Sequence, residues 1–316
     1  MILILSNPRD EHVSYVLPEI KRRNILYQCI HTEDYSQSLF LESRISVTNV
    51  NNQINFFDAS EIKAVWYRRP LLAEPETDNP LFKAYIRDER EGYTTYFFNS
   101  LQKACWISFP PNIELARNKI LQLEYALQEG FSIPDTLITT DINSFKEFYE
   151  THEKRVIIKS IKGHWYDRMG NKDYLFFTSL LEEDKLPTEG SLKTAPCLFQ
   201  GYIEKELELR ATVVGNKVFT AGIYSQEDSE SKIDWRLGTG RIRHATYNLP
   251  VKIENKLVRI NERFGLKFGA YDLILTPQGE YVFLELNPNG QWVWIEEKTG
   301  LKIKESLVDL LEHGTN

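Results

Sequence analysis

Residues 268–287 constrain this chain more than any other segment, because they combine a hairpin pattern with two acidic residues in register. Two apolar runs flank a Gln-Gly turn signal at 278–279, which is typical of a β-hairpin. With the turn centred on those two residues, Asp272 lies directly opposite Glu285, and Asn287 shares their face. Directly opposed residues have Cβ atoms about 4.5–5.5 Å apart. The register therefore brings two carboxylates and an amide together, although a bulge would shift it by one residue.

Opposed carboxylates favour a cation between them. Like charges that face each other across a hairpin destabilise it, and the apolar neighbours of Glu285 make an unpaired carboxylate costly to bury. Hard oxygen ligands of this kind are typical of Mg²⁺ held together with substrate phosphates. The pattern indicates a magnesium site, and the alternative is a surface hairpin whose acids are incidental.

Length and composition limit the class of protein. The chain has 316 residues, which indicates about two domains. Its 42% hydrophobic and 26% charged residues are typical of a folded globular protein rather than a disordered one. No apolar run approaches the ~18 residues of a membrane helix, and the start lacks the pattern of a signal peptide. The net charge of −7 argues against nucleic acid as a partner and favours a small or peptidic one.

The cysteines and histidines give no sign of a zinc site or of disulfides. Cys29, Cys105 and Cys197 are far apart and lie in apolar settings, so we expect reduced, buried thiols in a cytoplasmic protein. The six histidines show none of the paired spacing of zinc ligands.

The order of predicted elements begins with an α/β unit that ends at the Phe-Pro-Pro segment 109–111. Strands at 2–5, 25–30 and 62–67 alternate with helical periodicity, and a long helix is predicted over 81–104. An Asn-Asn pair at 51–52 predicts the turn of a small hairpin.

Beyond this unit, one helix over 113–129 precedes a short helix ending at 149 and a strand at 155–159. The last third is dense in strands. The further predicted elements are strands at 174–177, 197–203, 208–214, 217–224 and 240–247, a helix at 251–264, the hairpin, and a terminal helix at 302–311. The fold class is therefore α/β (α+β).

A magnesium site of this kind needs phosphates, but the chain has neither a P-loop nor a Gly-x-Gly-x-x-Gly motif. Lys159 ends an apolar strand, from which its ammonium could reach a phosphate, and Lys119 lies in the first turns of a helix. The flexible loop 162–164 could cover a nucleotide, and the strand end 198–204 could present backbone hydrogen bonds to a planar base. Solvated lysines and an ordinary edge strand are the alternatives.

Taken in order, these segments resemble the ATP-grasp superfamily. The matching segments are 117–123, 130–136, 156–159, 200–204, 208–215, Asp272 and 285–288. The resemblance covers about 112–316, and the ordered set is far more specific than any one segment. It implies three domains: an N-terminal α/β domain over 1–111, a central ATP-grasp subdomain over 112–195 and a C-terminal subdomain with an antiparallel sheet over 196–316.

Within the superfamily, the chain looks like the macrocyclases that make microviridin-type ω-ester peptides, the graspetides, including thuringinodin- or plesiocin-type members. The features that carry this are 65–70, 224–226, the Asp-Trp-Arg triplet 234–236 and 286–292. An Asp-x-Arg triplet is typical of that group, whereas the related glutamate-adding ligases typically carry a different segment there.

The resemblance implies a role for each matching residue. The residues assigned to ATP are Lys119 and Lys159 for the phosphates, Gln200 and Ile203 for adenine, and Glu208 for ribose. The residues assigned to two Mg²⁺ ions are Asp272, Glu285 and Asn287. Arg210 would neutralise charge on the transferred phosphoryl group, since such transfer depends on positioning and electrostatics. Arg236 would hold the acceptor carboxylate in two-point geometry, and Asp234 would orient Arg236 or take a proton from the nucleophile.

The implied reaction phosphorylates a Glu or Asp side chain of a ribosomal precursor peptide, with a leader and an acidic core. A Ser/Thr hydroxyl or a Lys amine then closes an ester or amide ring. The expected partners exclude nucleic acid and membrane and include a second copy of the chain as a homodimer. Leader recognition is expected in 174–194, where acids at 182–184 could equally be a solvated turn, and Arg68 and Arg69 could face the cleft or form structural ion pairs.

Two other functions stay open at this point. One is a ligase that adds a free amino acid to a protein or small acid, and the other is a nucleotide-binding regulator without catalysis. The triplet 234–236 could also be a surface ion pair in a loop.

Overall fold

The computed structural model describes residues 1–31, 41–55, 57–71, 74–161, 166–169, 172–175, 178–238 and 240–314, with 166–169 and 172–175 described in their backbone only. The predicted loop 162–164 and the end of the predicted strand 174–177 lie outside these residues. Within the described part of the chain, none of the helices combines the length and apolarity needed to cross a membrane.

The N-terminal unit is built on a parallel sheet with strand order β2-β1-β6-β7. Its elements are β1 (Ile2–Ser6), α1 (Glu11–Arg22), β2 (Tyr27–His31), β6 (Ala64–Tyr67), α2 (Pro80–Ser100) and β7 (Cys105–Ile107). Every residue of β1 is buried, as expected for a parallel strand covered on both faces. Ile2 and Ile4 pack with α1 and with the C-terminal helix, whereas Leu3 and Leu5 pack against α2. The end of the chain thus returns to the first domain.

A small antiparallel sheet adjoins this unit, formed by β3 (Leu41–Ile45), β4 (Val50–Ile54) and β5 (Phe57–Asp58). The prediction that Asn51-Asn52 forms its turn is wrong, because both residues pair with β3 inside β4. The turn lies at 46–49 instead, where the Ser46 hydroxyl accepts a hydrogen bond from the Asn49 amide at 3.1 Å. A serine that bonds to its own turn outweighs the propensity of the Asn pair.

The central unit begins with two helices, α3 (Pro110–Ala116) and α4 (Lys119–Gln128), where one helix was predicted. The break falls at Asn118, whose Oδ1 accepts hydrogen bonds from the amides of Ile120 and Leu121 and caps α4. This cap places Lys119 at the first position of α4.

The central sheet is antiparallel with order β12-β9-β13-β8. The strands of this sheet are β8 (Thr136–Thr139), β9 (Val156–Lys159), β12 (Ser179–Leu180) and β13 (Cys197–Gly201). The same unit contains the helices α5 (Ile142–Thr151) and α6 (Glu189–Thr194) and a separate hairpin of β10 (Tyr166–Met169) and β11 (Lys172–Leu175). Phe145, Tyr149 and Leu192 of the two helices pack against Val156 and Phe199 of the sheet.

The C-terminal sheet has five antiparallel strands in the order β16-β15-β14-β17-β18. Its elements are β14 (Leu207–Val214), β15 (Lys217–Ile223), β16 (His244–Thr246), α7 (Val251–Arg263), β17 (Phe268–Leu275), β18 (Tyr281–Asn287), α8 (Val293–Thr299) and α9 (Ile303–His313). The predicted strand 240–247 is therefore only three residues long, and α8 is an additional helix. α7 covers one face of the sheet, and α8 and α9 pack on the other face against the N-terminal unit.

Asp272 and Glu285 pair as predicted, but the register of the strands between this pair and the turn differs from the predicted one. The turn is centred on Gln278 alone, with Thr276 and Glu280 hydrogen-bonded across it at 2.9 Å, so the register next to the turn differs by one residue from the prediction. A bulge at Leu284 then shifts the register back, and Asp272 pairs with Glu285. The bulge that would have spoiled the pairing restores it.

Candidate active site

A cleft lies between the central sheet and the C-terminal sheet. Its lining residues come from β9, from the segment joining β13 to β14, from residues 233–236 and from the hairpin: Ile157, Lys159, Gly201, Tyr202, Ile203, Lys205, Glu208, Ile233, Asp234, Trp235, Arg236, Asp272, Ile274, Leu284 and Glu285 among them. Apolar side chains line one part of the cleft, and the other part carries most of the charged side chains. Such a cleft fits a flat ring attached to an anionic chain.

The predicted metal ligands meet at the charged end of this cleft. Asp272 and Glu285 are directly opposed, and the Asn287 amide lies 3.3 Å from an oxygen of each. Arg210 on the adjacent β14 pairs with Asp272 at 2.8 Å. Burial raises the pKa of Asp272; the Arg210 guanidinium opposes this rise, and the charge of Glu285 adds to it. The carboxylate cluster therefore depends on neighbouring cations.

Lys119 provides one of those cations, since its Nζ lies 3.1 Å from Glu285 Oε2. Its helix is fixed to the same strand by Gln122, one turn further on. The buried Gln122 side chain accepts from the Leu286 amide at 2.9 Å and donates to the Leu286 carbonyl at 2.8 Å. Gln122 thus pairs with β18 as another strand would, which holds Lys119 beside Glu285.

Lys159 lies at the end of β9 and points its ammonium toward the same cluster. Removal from water inside the cleft lowers the pKa of Lys159 to about 8, although Glu285 opposes this shift and Lys119 adds to it. No carboxylate in the described part of the chain lies within ion-pair distance of its Nζ. A buried ammonium without a carboxylate at ion-pair distance is strongly stabilised by the negative charge of a bound phosphate.

The Asp-Trp-Arg triplet places a second arginine across the cleft. Arg236 Nη1 bonds to Asp234 at 3.0 Å, and its Nη2 lies 3.5 Å from Glu285 Oε1. Burial alone would lower the pKa of Arg236, but the charges of Asp234 and Glu285 outweigh it and raise that pKa. Trp235 between them stacks on Trp294 of α8, with ring centroids 4.9 Å apart. The triplet is therefore anchored inside the cleft and is not a solvated surface pair.

Glu208 belongs to a buried network at the cleft wall. Its Oε1 accepts from Lys205 Nζ and from the Ser225 hydroxyl, both at 2.7 Å, while Lys205 also donates to the Ile233 carbonyl. Burial raises the pKa of Glu208, and Lys205 opposes that rise. Because Oε2 has no partner in the described part of the chain, it can accept a hydroxyl of a bound sugar.

The residues predicted for adenine divide into two cases. Ile203 lines the cleft together with the backbone of 201–202. Gln200 is not among the lining residues: its amide nitrogen donates to Thr136 on β8 at 3.0 Å, and its Oε1 is buried without a hydrogen-bond partner in the described part of the chain.

The donor set at the charged end fits Mg²⁺ bound with a nucleotide. The described residues hold no cluster of three or more His, Cys, Asp or Glu side chains suited to a metal ion by themselves. Two carboxylates and an amide instead leave coordination positions for phosphate oxygens, as Mg²⁺ prefers. Asn287 here donates from Nδ2, and exchange of its amide N and O would turn the oxygen toward the ion.

Three residues that the sequence reading missed support this site: Gln122, Lys205 and Trp294. Gln122 follows Lys119 by one helical turn, a spacing that would have placed both on one face of α4. Lys205 lies three residues before Glu208, and Trp294 lies in a helix that was not predicted.

A cleft between two antiparallel sheets, lined at its charged end by a hairpin that carries two acids and an asparagine, is typical of an ATP-grasp protein. A family model described as RimK-like ATP-grasp domain matches residues 116–311, and a model described as MvdD pre-ATP grasp domain matches residues 1–114. The chain belongs to the RimK-like ATP-grasp family, which confirms the predicted fold class. It is an ATP-dependent ligase, and ATP is its cofactor.

Solved structures resemble the chain over nearly its whole length. A RiPP-associated ATP-grasp ligase from Chryseobacterium gregarium, in complex with ADP and a leader and core peptide, has a TM-score of 0.89 at 26% identity and covers 98% of this chain and 96% of its own. The macrocyclase MdnC of Microcystis aeruginosa, bound with its precursor peptide MdnA, has a TM-score of 0.86 at 28% identity over 98% and 99%. The macrocyclase MdnB of the same organism has 0.81 at 29% over 99% of both chains.

A more distant relative belongs to the amino-acid ligases. The glutamate–LysW ligase ArgX of Sulfolobus acidocaldarius is 23% identical over 213 residues, which are 66% of this chain and 72% of that protein. The peptide macrocyclases thus match the full chain, whereas this ligase matches about two thirds of it.

Proposed function

We propose that the enzyme phosphorylates a Glu or Asp side chain of a ribosomal precursor peptide and closes it into a macrocyclic ω-ester or ω-amide. The observation that carries this is the position of Arg236. Its guanidinium is held by Asp234 and reaches Glu285, so a carboxylate bound to Arg236 lies beside the metal ligands. An acceptor carboxylate at that point is next to the site of the γ-phosphate.

The chain's own residues account for the first half of the reaction. Lys119 and Lys159 bind the phosphates of ATP, and Arg210 neutralises charge on the phosphoryl group in transit. Asp272, Glu285 and Asn287 would hold two Mg²⁺ ions, which supply charge neutralisation and alignment of the phosphates. An oxygen of the acceptor carboxylate attacks the γ-phosphorus, and the bond between that phosphorus and the β-phosphate oxygen breaks. ADP is released, and the acceptor carboxylate becomes an acyl phosphate.

In the second half, a Thr or Ser hydroxyl or a Lys amine of the core attacks the acyl carbon. Asp234 takes the proton of the nucleophile, and the carbon–oxygen bond to phosphate breaks with release of inorganic phosphate. Arg236 stabilises the acyl oxygen as it gains charge. Each ring therefore leaves the peptide lighter by one water molecule.

The partner that fits this chemistry is a precursor peptide with a leader and an acidic core. The acids at 182–184 are exposed, and two of them are paired within the chain, since Glu183 lies 2.9 Å from Lys154 and Glu182 bonds to Lys185. A basic leader residue would have to displace these lysines in order to pair with Glu182 or Glu183. A homodimer and a cytoplasmic location stay predictions.

The amino-acid ligase is the second candidate, supported by the relation to ArgX. The test is to incubate the enzyme with ATP, Mg²⁺ and the short peptide encoded next to its gene, and to measure the peptide by mass spectrometry. Loss of one water per ring, with new crosslinks between acidic and hydroxyl or amine side chains in fragment spectra, supports the macrocyclase. A mass gain equal to an added amino acid overturns it in favour of the ligase.

A further inference from the structure

Three charged or polar side chains of the N-terminal unit are buried against the turn that follows β18. Asp10 caps α1, His12 lies in its first turn, and Arg68 follows β6. His12 is 1% exposed and Arg68 is 2% exposed. All three lie in the interface between the first domain and the catalytic half of the chain.

These side chains hold both ends of the turn 288–293. Arg68 Nη1 donates to the carbonyls of Asn289 at 2.7 Å and Gly290 at 3.1 Å. At the other end, His12 Nε2 accepts from the amides of Trp292 at 3.0 Å and Val293 at 3.4 Å. The turn is therefore bound through its backbone groups and not through its side chains.

Asp10 joins the two contacts into one network. Its carboxylate lies 3.1 Å from Arg68 Nε and 3.1 Å from His12 Nδ1. Because Nε2 accepts hydrogen bonds, the ring proton lies on Nδ1 and donates to Asp10. The carboxylate thereby fixes both the tautomer of His12 and the direction of Arg68.

The turn connects this network to the catalytic groups. It directly follows Asn287, and the Gln291 carbonyl accepts from Arg210 Nη2 at 3.2 Å. Gly290 is packed so closely that a Cβ there would lie 2.8 Å from the same Nη2 and 2.4 Å from the Ala270 Cβ. A shift of the turn would move Arg210 and Asn287 together.

The energetic cost of the network indicates that it does more than join two domains. A buried ion pair is often less stabilising than apolar packing of the same volume. Arg68 Nη2 is buried without a hydrogen-bond partner in the described part of the chain, and burial lowers the pKa of Arg68 to about 10. In return the network fixes the position of the turn, because Arg68 and His12, both held by Asp10, bond to its two ends.

We propose that Asp10, His12 and Arg68 are positioning residues that fix the turn 288–293 and thereby set Asn287 and Arg210 for metal and phosphoryl binding. The proposal rests on the metal and phosphate half of the proposed function and is independent of the peptide substrate. A failure of the peptide assay therefore leaves it intact, and its own failure leaves the macrocyclase proposal intact.

Two substitutions of one residue test it. A Gln side chain places its oxygen where His12 has Nε2 and can still accept from Trp292, whereas an Asn side chain reaches only the Nδ1 position. The affinity for ADP is measured by titration calorimetry in EDTA and again in Mg²⁺. We expect His12→Asn to cut the Mg²⁺-dependent gain in ADP affinity about tenfold with affinity in EDTA unchanged, and His12→Gln to keep it within about twofold.

A matched control is Arg22→Ala on the same helix, an exposed side chain paired with Glu19, which leaves both affinities unchanged. Arg68→Lys keeps the charge but loses the contact with the two carbonyls, so we expect the same result as for His12→Asn. This variant replaces His12→Asn in the test if the His12 variant does not fold. A wild-type response to Mg²⁺ in His12→Asn and Arg68→Lys overturns the proposal. Equal losses in EDTA and in Mg²⁺ also overturn it, because they indicate a role in stability alone.

Discussion

Leu284 and Glu285 are neighbours in sequence, yet both line the cleft. An unbroken strand would turn them to opposite faces, but Leu284 is the extra residue of the bulge that lets Asp272 pair with Glu285. One irregularity thus supplies both a metal ligand and an apolar contact for the nucleotide.

Replacement of the bulged leucine tests that second role. We expect Leu284→Ala to weaken ADP binding in EDTA by about 5–30-fold, since about 1–2 kcal/mol of apolar contact is lost. The Mg²⁺-dependent gain in affinity is retained, because Asp272 and Glu285 stay paired. The measurement is calorimetry, with the exposed Leu115→Ala as control. A loss confined to the Mg²⁺ titration would mean that Leu284 acts on the metal ligands instead.

The second prediction concerns pH. Lys159 must be charged to bind phosphate, and its pKa is lowered to about 8 in the free protein. The lysine then has little effect on the pH dependence of ADP affinity in EDTA below that pH, and the affinity falls by up to about tenfold per unit above it, until the pH reaches the higher pKa that Lys159 has in the complex. Phosphate binding raises the pKa again, so complex formation above pH 8 takes up a proton.

Calorimetry in two buffers of different ionisation enthalpy measures that proton uptake. Lys159→Arg is the matched variant, since a guanidinium stays charged throughout this range. It removes the decline in affinity above pH 8, whatever its effect on absolute affinity. A decline that persists in this variant would assign the titration to another group.

The hairpin pair could be predicted because the spacing across a short turn governs it, whereas the triplet 234–236 was identified only through the resemblance to a family. Several local features of the fold could not be predicted from the sequence. The bulge at Leu284 and the Ser46 turn depend on local hydrogen bonds that carry no periodicity, and the cap at Asn118 divides a continuous apolar pattern. The contact of Gln122 with β18 joins residues far apart in sequence, which spacing along the chain does not encode.

The third prediction tests this long-range contact. Gln122→Ala leaves the amide and carbonyl of Leu286 and the carbonyl of Ala116 buried without their partner. Each unsatisfied buried group costs about 1–3 kcal/mol, so for three groups we expect the free energy of unfolding to fall by at least about 3 kcal/mol. Urea denaturation measures it, and the exposed Gln102→Ala serves as control. An unchanged midpoint would show that water replaces the side chain at no cost.

The last prediction separates acceptor binding from nucleotide binding. Arg236→Ala removes the two-point donor while Lys119, Lys159 and the metal ligands stay, so ring closure falls at least about 10²-fold and ADP affinity changes by less than about threefold. Arg236→Lys keeps the charge but not the fork, and recovers only a small part of the rate. Arg241→Ala, which removes an exposed pair with Asp228 on the same loop, has wild-type activity. Mass spectrometry follows the ring and calorimetry follows ADP; equal losses in both would show that Arg236 serves the nucleotide through Glu285 rather than the acceptor carboxylate.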